Sequence, residues 1–133
     1  MDYYLNPKNS TDRLLKEYDE HGSLVVAFDF DDTVYDFHNK GRSYQNVITL
    51  LQKLKAINCY IVCWTGNEDQ QLVSTYLTQH QIPFDAINEN PPFYKTESRK
   101  IYANAYLDDR AGLKQVFDEL NEVLLFTEKT KKI

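Results

Sequence analysis

Three carboxylates directly follow an apolar stretch near the start of the chain. Residues 24–28 read Leu-Val-Val-Ala-Phe, and Asp29, Asp31 and Asp32 come next. An unbroken apolar run rich in β-branched residues is typical of a strand buried on both faces of a sheet. Carboxylates this close in sequence repel one another unless a cation or a shared proton compensates their charge. The alternative is a polar loop in which an Asp side chain caps a turn.

Two later apolar stretches also end in polar residues. Residues 59–64 precede Thr65, and residues 105–107 precede Asp108 and Asp109. The carboxyl ends of the strands of an open parallel sheet share one edge, and ligands bind there. Polar clusters that lie far apart in sequence are therefore expected to converge at one site.

The same clusters carry a resemblance to a known family. The segment 29–33, Asp-Phe-Asp-Asp-Thr, resembles the first motif of the haloacid dehalogenase-like superfamily, an apolar strand followed by Asp-x-Asp-x-Thr. Thr65 after its strand resembles the second motif, and the pair Asp108-Asp109 resembles the fourth. The sequence leading into that pair is similar to a small capless, phosphatase-like subgroup of the superfamily.

The resemblance implies a hydrolase that acts on phosphomonoesters through an aspartyl-phosphate intermediate. Asp29 would be the nucleophile, while Asp31 would protonate the leaving oxygen and later deprotonate water. Thr65 would donate a hydrogen bond to a phosphoryl oxygen, unless it only caps the helix that follows. The third motif is a lysine that offsets negative charge. Lys100 is preferred to Lys95 for this role, and a solvated basic patch is the alternative.

The resemblance also implies a Mg²⁺ ion as cofactor. Asp29, Asp108 and Asp109 would supply carboxylate oxygens, and Asp31 would supply its backbone carbonyl. Mg²⁺ keeps several water ligands, so one or two carboxylates are sufficient. Asp109 has two other interpretations, an ion pair with Arg110 or a cap of the last helix.

The residues around the predicted site have less specific interpretations. Asp32 stands where the family often has glycine and is interpreted as a turn residue. Residues 34–42 have no clear period and predict a loop or short hairpin that covers the site. Tyr35 and His38 in that loop suit packing or solvent exposure as well as they suit substrate contact. Trp64 ends a strand and is predicted to lie in the core.

The size of the insertions between the motifs bears on which classes of substrate are expected. Segments 34–58 and 66–99 are too short to fold a cap domain, so the site is expected to be open. Within the family, an open site goes with large substrates, such as polynucleotide ends or phosphoproteins, or with a cap-like cover from another subunit. Small nucleotides are also compatible, because aromatic side chains near the site can stack on a base. These side chains are Tyr35, Phe37, Phe93 and Tyr94.

The predicted function is therefore a Mg²⁺-dependent phosphomonoesterase, with a nucleotide or a nucleic-acid terminal phosphate as the first choice of substrate. One alternative is a phosphatase of phosphoproteins. Another is a non-catalytic binding or regulatory module of the same fold, which would have no need of an acid/base at Asp31. Dehalogenation of a small acid is disfavoured, because it requires neither Mg²⁺ nor paired acids in the fourth motif.

Hydrophobic periodicity predicts strands that alternate with helices. This order indicates a three-layer, Rossmann-like α/β fold of the haloacid dehalogenase type, with a central parallel sheet and no cap domain. The predicted strands are residues 24–28, 59–64, 84–87 and 105–107. The predicted helices are residues 10–21, 43–56, 68–80 and 111–124, with one further helical turn at 98–102.

Length and composition set the remaining expectations. A chain of 133 residues favours a single domain over residues 1–133, with an irregular N-terminus at 1–9 and a basic tail at 127–133. The net charge of −5 argues against a general nucleic-acid binder. No segment suggests a signal peptide or a membrane span, which predicts a cytoplasmic protein and leaves oligomerisation open. Cys59 and Cys63 are interpreted as reduced thiols of the core.

Overall fold

Strands and helices alternate along the chain in the computed structural model, which describes residues 1–131. A single 3-10 turn, Tyr3–Leu5, precedes the first helix. The helices are α1 (Pro7–His21), α2 (Gln45–Ala56), α3 (Gln70–Gln79) and α4 (Leu113–Lys131). The strands are β1 (Val25–Phe28), β2 (Tyr60–Cys63), β3 (Ala86–Ile87) and β4 (Ala105–Leu107).

The four strands form one parallel sheet in the order β3-β2-β1-β4. Phe28 at the end of β1 pairs with Cys63 of β2 on one side and with Leu107 of β4 on the other. The carboxyl ends of these three strands are therefore level at one edge of the sheet. The predicted α/β fold with a central parallel sheet, of the Rossmann-like three-layer kind, is confirmed.

One face of the sheet packs against all four helices. Strand residues that point to this face alternate along β1 and β2, and they form a single core with apolar side chains from each helix. The strand residues are Val26, Phe28, Ile61 and Cys63, and the helical ones include Leu14, Leu51, Leu77 and Leu120. The buried stripes of the four helices hold the sheet, and with it the strand ends, in place.

The opposite face is covered by an irregular segment instead of helices. β4 joins the far side of β1, so the chain after β3 must cross back over the sheet through residues 88–104. Ile101 from this segment packs on Val25, Ala27 and Val62. Segment 88–104 thus supplies the third layer of the fold.

The helical turn predicted at 98–102 is absent from that segment. Two local signals explain the error. Pro91 and Pro92 remove backbone donors at its start, and side chains then bond to the backbone in place of helical carbonyls. The Ser98 hydroxyl accepts from the Lys100 N–H at 3.2 Å, and Asn90 Oδ1 accepts from the Tyr102 N–H at 2.7 Å.

The predicted ends of the chain need correction. The N-terminus is not irregular through residue 9, because α1 begins at Pro7, and Asn6 Oδ1 accepts from the Lys8 N–H as the N-cap. Most of the predicted basic tail, residues 127–133, is the last part of α4, where Thr127 is buried. Residues 132–133 lie outside the described part of the chain. None of the helices within residues 1–131 is long and apolar enough to cross a membrane.

The two cysteines are free and buried, as predicted. Cys63 belongs to the core between the sheet and the helices, and Cys59 lies next to β2. Burial raises the pKa of the Cys59 thiol to about 11, so it remains protonated at neutral pH. Both side chains therefore act as small apolar residues of the core.

Candidate active site

Three carboxylates converge where β1 and β4 end. One oxygen from each of Asp29, Asp108 and Asp109 lies within 4.8 Å of the other two. Backbone bonds extend the ladder to this point, because the Asp29 N–H donates to the Leu107 carbonyl at 2.9 Å. Asp29 and Asp108 are half-buried and Asp109 is exposed. Such a set of oxygen ligands is suited to a hard divalent cation.

Thr33 connects the two strand ends through its hydroxyl. This side chain is fully buried, and its Oγ1 accepts from the Asp109 N–H at 3.1 Å. The same oxygen lies 3.2 Å from Asp29 Oδ2 and 3.3 Å from Asp109 Oδ1. A hydroxyl has one proton, so Thr33 donates to one carboxylate at a time. Thr33 carries no predicted role, although its place in the first motif was the available signal.

The loop after β1 is a tight turn that brings Thr33 back to the site. Phe30 is fully buried, and its carbonyl accepts from the N–H groups of Val34 and Tyr35, both at 3.1 Å. Asp32 has a φ of 60°, a left-handed conformation that Asp tolerates better than most residues. Its turn geometry agrees with the prediction from the sequence.

Two carboxylates of the site, Asp29 and Asp31, have raised pKa values. Burial, together with hydrogen bonding to Asp109 and the charges of Asp108 and Asp109, raises the pKa of Asp29 to about 7. Burial also raises the pKa of Asp31, which contact with the Asn67 side chain lowers in part. Asp31 Oδ1 is buried and has no hydrogen-bond partner among residues 1–131. A buried carboxyl oxygen without a partner is costly, which points to a group that meets it during function.

Thr65 is buried at the end of β2 and is held there by a residue that the sequence analysis missed. The Thr65 N–H donates to Asn88 Oδ1 at 2.8 Å, and Asn88 Nδ2 donates back to the Thr65 carbonyl at 2.9 Å. Asn88 directly follows β3 and has a φ of 55°. The alternative that Thr65 caps the next helix is wrong, because Asp69 caps α3 by accepting from the Leu72 N–H.

Lys100 and two of the carboxylates line the same cavity. The cavity has a volume of about 720 Å³, and the two carboxylates are those of Asp29 and Asp108, whereas Lys95 is not part of its wall. The Lys100 ammonium lies 5.6 Å from the centroid of the Tyr106 ring. Within the described residues, Lys100 forms no ion pair. Its side chain must therefore turn towards Asp29 if it is to meet a phosphoryl group.

The position of Trp64 differs from the prediction. Trp64 was expected in the core, but 38 % of its surface is exposed, and it lines the same cavity as Lys100. The residue is exposed because it follows β2 and lies level with Asp29, at the edge where the sheet ends and ligands have access. Its side chain thus belongs to the site.

The loop predicted to cover the site divides into a buried and an exposed part. Tyr35 packs into the core, with its ring 4.7 Å from the ring of Phe30 and 4.7 Å from that of Tyr76. Phe37 and His38 line a smaller cavity of about 360 Å³. This second cavity also contains Asp29, Asp31 and the other carboxylates of the site, so the two cavities meet at Asp29 and Asp108.

Comparisons with known proteins support the fold and go no further. No protein-family model matches the chain, and no curated protein matches it. The solved structure of a conserved protein from Bacteroides thetaiotaomicron is similar, with a TM-score of 0.60 and 22% sequence identity. The similarity covers 80% of this chain and 92% of that one. At this level of identity the comparison shows a shared fold alone.

Proposed function

We propose that the chain is a Mg²⁺-dependent phosphomonoesterase of the haloacid dehalogenase type that forms an aspartyl-phosphate. The main supporting observation is that Asp29 and Asp108 meet at the ends of neighbouring strands, while Asp31 keeps a buried oxygen without a partner among residues 1–131. The carboxylate cluster offers a place for a cation, and Asp31 offers a separate acid. A cation that offsets charge on the phosphoryl oxygens and an acid that protonates the leaving oxygen both accelerate phosphoryl transfer.

The residues suggest the following steps. A carboxylate oxygen of Asp29 attacks phosphorus, the bond from phosphorus to the ester oxygen breaks, and Asp31 gives its proton to that oxygen. Water then attacks the phosphorus, and Asp31 takes a proton from it. The bond from phosphorus to Asp29 breaks, which releases phosphate and restores the carboxylate. The raised pKa of Asp31 favours the protonated form that the first step needs.

The donor set fits Mg²⁺. Asp29 and Asp108 supply carboxylate oxygens from two strands, and Asp109 is held nearby through Thr33. A bound cation would neutralise charge on the phosphoryl oxygens during transfer. It would also offset the burial and the neighbouring charges that together raise the pKa of Asp29 in the metal-free protein.

Asp31 distinguishes the phosphatase from a binding module with the same fold. A binding module has no need of a second carboxyl with a raised pKa, whose Oδ1 accepts from none of residues 1–131. A general acid that must meet the leaving oxygen has a reason to keep this oxygen free of partners. We therefore favour catalysis over binding alone.

The test compares Asp29→Asn with Asp31→Asn on p-nitrophenyl phosphate in the presence and absence of Mg²⁺. Asp29→Asn removes the nucleophile and should abolish turnover. Asp31→Asn should lose about 10²–10⁴-fold in turnover, because water attack has no base. Since p-nitrophenolate leaves without protonation, the Asp31→Asn protein should accumulate phosphate on Asp29, visible by mass spectrometry after acid quench.

Two outcomes would contradict the proposal. If wild type has no Mg²⁺-dependent turnover of any phosphomonoester in a broad screen, the chain is not a phosphatase. If Asp29→Asn remains active and no adduct appears, hydrolysis proceeds through water attack without a covalent intermediate.

A further inference from the structure

The larger cavity has an aromatic wall that begins beside the carboxylates. Phe28 pairs with Cys63 and with Leu107, so the next residues, Asp29, Trp64 and Asp108, lie level across three strands. Residues that are level in a parallel sheet point to the same face. The Trp64 side chain therefore lies on the same face as the two carboxylates, and all three line the cavity of about 720 Å³.

Two pairs of aromatic rings continue this wall. The Trp64 ring lies 5.7 Å from the ring of Tyr106, and Tyr94 stacks on Tyr102 at 4.3 Å with an interplanar angle of 15°. Trp64 is 38 % exposed and Tyr94 is 41 % exposed, so each presents ring surface to the cavity. Ala27 precedes Asp29 on the same face, and its small side chain leaves space next to Tyr106.

We propose that this cavity binds the base and sugar of a mononucleotide whose phosphate lies at Asp29. The inference rests on the proposed function, since it names the leaving group of the same reaction. The smaller cavity is lined mainly by carboxylates and suits a cation, water and the phosphoryl group. The larger, aromatic cavity suits a planar base, which stacks on Trp64 and Tyr94.

Volume and charge favour a mononucleotide over a polynucleotide end. A cavity of about 720 Å³ is within the usual range of small-ligand sites. Binding of a polynucleotide requires several cations along its backbone. This cavity has two, and one of them, Arg13, is already paired with Glu17 at 2.6 Å. Lys100 alone remains for a single phosphate.

Polar side chains that also line the cavity offer hydrogen-bonding groups for a sugar or base. Ser10, Gln115 and Glu119 form a bonded cluster there, in which Gln115 Nε2 donates to Glu119 Oε1 at 3.0 Å. The cavity thus borders the proposed phosphate position at Asp29 and adds aromatic rings and hydrogen-bonding side chains. A nucleoside monophosphate has groups to match these, namely a phosphate, a planar base and a sugar with hydroxyls.

Trp64 is the single tryptophan of the chain, so its fluorescence reports directly on this cavity. We would titrate adenosine 5′-monophosphate into the Asp29→Asn protein, because this variant lacks the nucleophile and should bind the nucleotide without turnover. Stacking of the base should quench the fluorescence. Ribose 5-phosphate, which has the same phosphate and sugar but no base, should leave it unchanged.

Variants test which rings carry the binding. Tyr94→Leu in the Asp29→Asn background keeps Trp64 as the probe and should weaken the apparent affinity for adenosine 5′-monophosphate about tenfold, as expected for loss of one stacking surface. Phe93→Leu is the matched control, because Phe93 is 70 % exposed but outside the cavity. In the active protein, Trp64→Leu should lower kcat/KM for the nucleotide about tenfold, and Trp64→Phe should restore most of it.

The outcomes separate this inference from the proposed function. Quenching by the nucleotide in a protein without phosphatase activity would support the cavity assignment and contradict the function. Turnover of p-nitrophenyl phosphate without quenching by the nucleotide, and with equal activity in Trp64→Leu, would support the function and overturn the inference. A phosphotyrosine peptide that quenches more strongly than the nucleotide would also overturn it.

Discussion

Thr33 shows how a single buried hydroxyl organises the site. It accepts from the Asp109 backbone and lies within hydrogen-bond distance of Asp29, so it ties the turn after β1 to the end of β4. Thr33→Val keeps the shape but removes the oxygen, which leaves the Asp109 N–H without this partner. We expect the free energy of unfolding to fall by about 1–3 kcal/mol. Urea denaturation at neutral pH measures this loss.

The same substitution should affect the proposed metal site. A group that orients metal ligands typically accounts for about 10–100-fold in metal affinity, so Thr33→Val should need correspondingly more Mg²⁺ for half-maximal activity. Thr33→Ser is the control, because it retains the hydroxyl. If Thr33→Val has the Mg²⁺ dependence of wild type, Thr33 is a structural residue only.

Substitution of Lys100 and of Lys95 tests which lysine assists the proposed reaction. Lys100 lines the cavity next to Asp29, and Lys95 does not. A cation that meets the charge of the transition state contributes far more than one in solvent. Lys100→Ala should therefore lower kcat by about 10²–10³-fold, whereas Lys95→Ala should remain near wild type. The reverse order in steady-state kinetics would transfer the role to Lys95.

The sequence could predict the carboxylates of the site but not the residues that hold the site in place through hydrogen bonds. Asp29, Asp108 and Thr65 each follow an apolar run, and this local pattern is visible without the fold. Asn88 is different, because its partner Thr65 is 23 residues away and nothing near Asn88 indicates the contact. Trp64 ends an apolar run, which predicts a core position, whereas its place after the last paired residue of β2 leaves it 38 % exposed.

Elements with strong periodicity were predicted well, and the errors lie where backbone hydrogen bonds are made by side chains. The burial of β1 and β2 follows directly from continuous apolar runs. Segment 88–104 has no comparable apolar run. The side chains of Asn90 and Ser98 hydrogen-bond to its backbone, which takes no regular conformation. The segment covers one face of the sheet because the order of the strands requires the chain to cross there, a constraint that local sequence does not contain.

The Asn88 side chain links two neighbouring strands, and its removal measures how much this link stabilises the fold. The side chain joins the chain after β3 to the end of β2 through two hydrogen bonds to the Thr65 backbone. Asn88→Gly accepts the positive φ but removes both bonds, and we expect a loss of about 1–3 kcal/mol in the free energy of unfolding. Asn88→Ala should lose more, because φ is 55°.

Measurement of kcat shows whether the Asn88 side chain only stabilises the fold or also positions Thr65. If the side chain only stabilises the fold, Asn88→Gly should keep the kcat of wild type at a temperature where it is fully folded. If it also positions Thr65, kcat should fall while the circular dichroism spectrum stays native. Equal stability of Asn88→Gly and wild type in urea would show that the two hydrogen bonds of the Asn88 side chain do not stabilise the fold.

At the scale of the whole molecule, a parallel sheet places acids from distant segments at one edge, where their repulsion opposes folding. The ordinary pKa of the Asp29 carboxyl is 3.8, and in the folded protein it rises to about 7. Between these two values the folded state binds more protons than the unfolded state. The contribution of Asp29 to stability is therefore present at low pH and is lost as the pH rises through about 7.

The metal-free protein should consequently be less stable at pH 8 than at pH 5.5, and Asp29→Asn should reduce this difference. At pH 8 we expect Asp29→Asn to be more stable than metal-free wild type by about 1–2 kcal/mol, allowing for solvent screening of a half-buried group. Millimolar Mg²⁺ should raise the Tm of wild type more at pH 8 than at pH 5.5, because protons compete for the same carboxylates. It should stabilise Asp29→Asn much less. Equal Mg²⁺ shifts in both proteins, measured by differential scanning calorimetry, would place the cation away from Asp29.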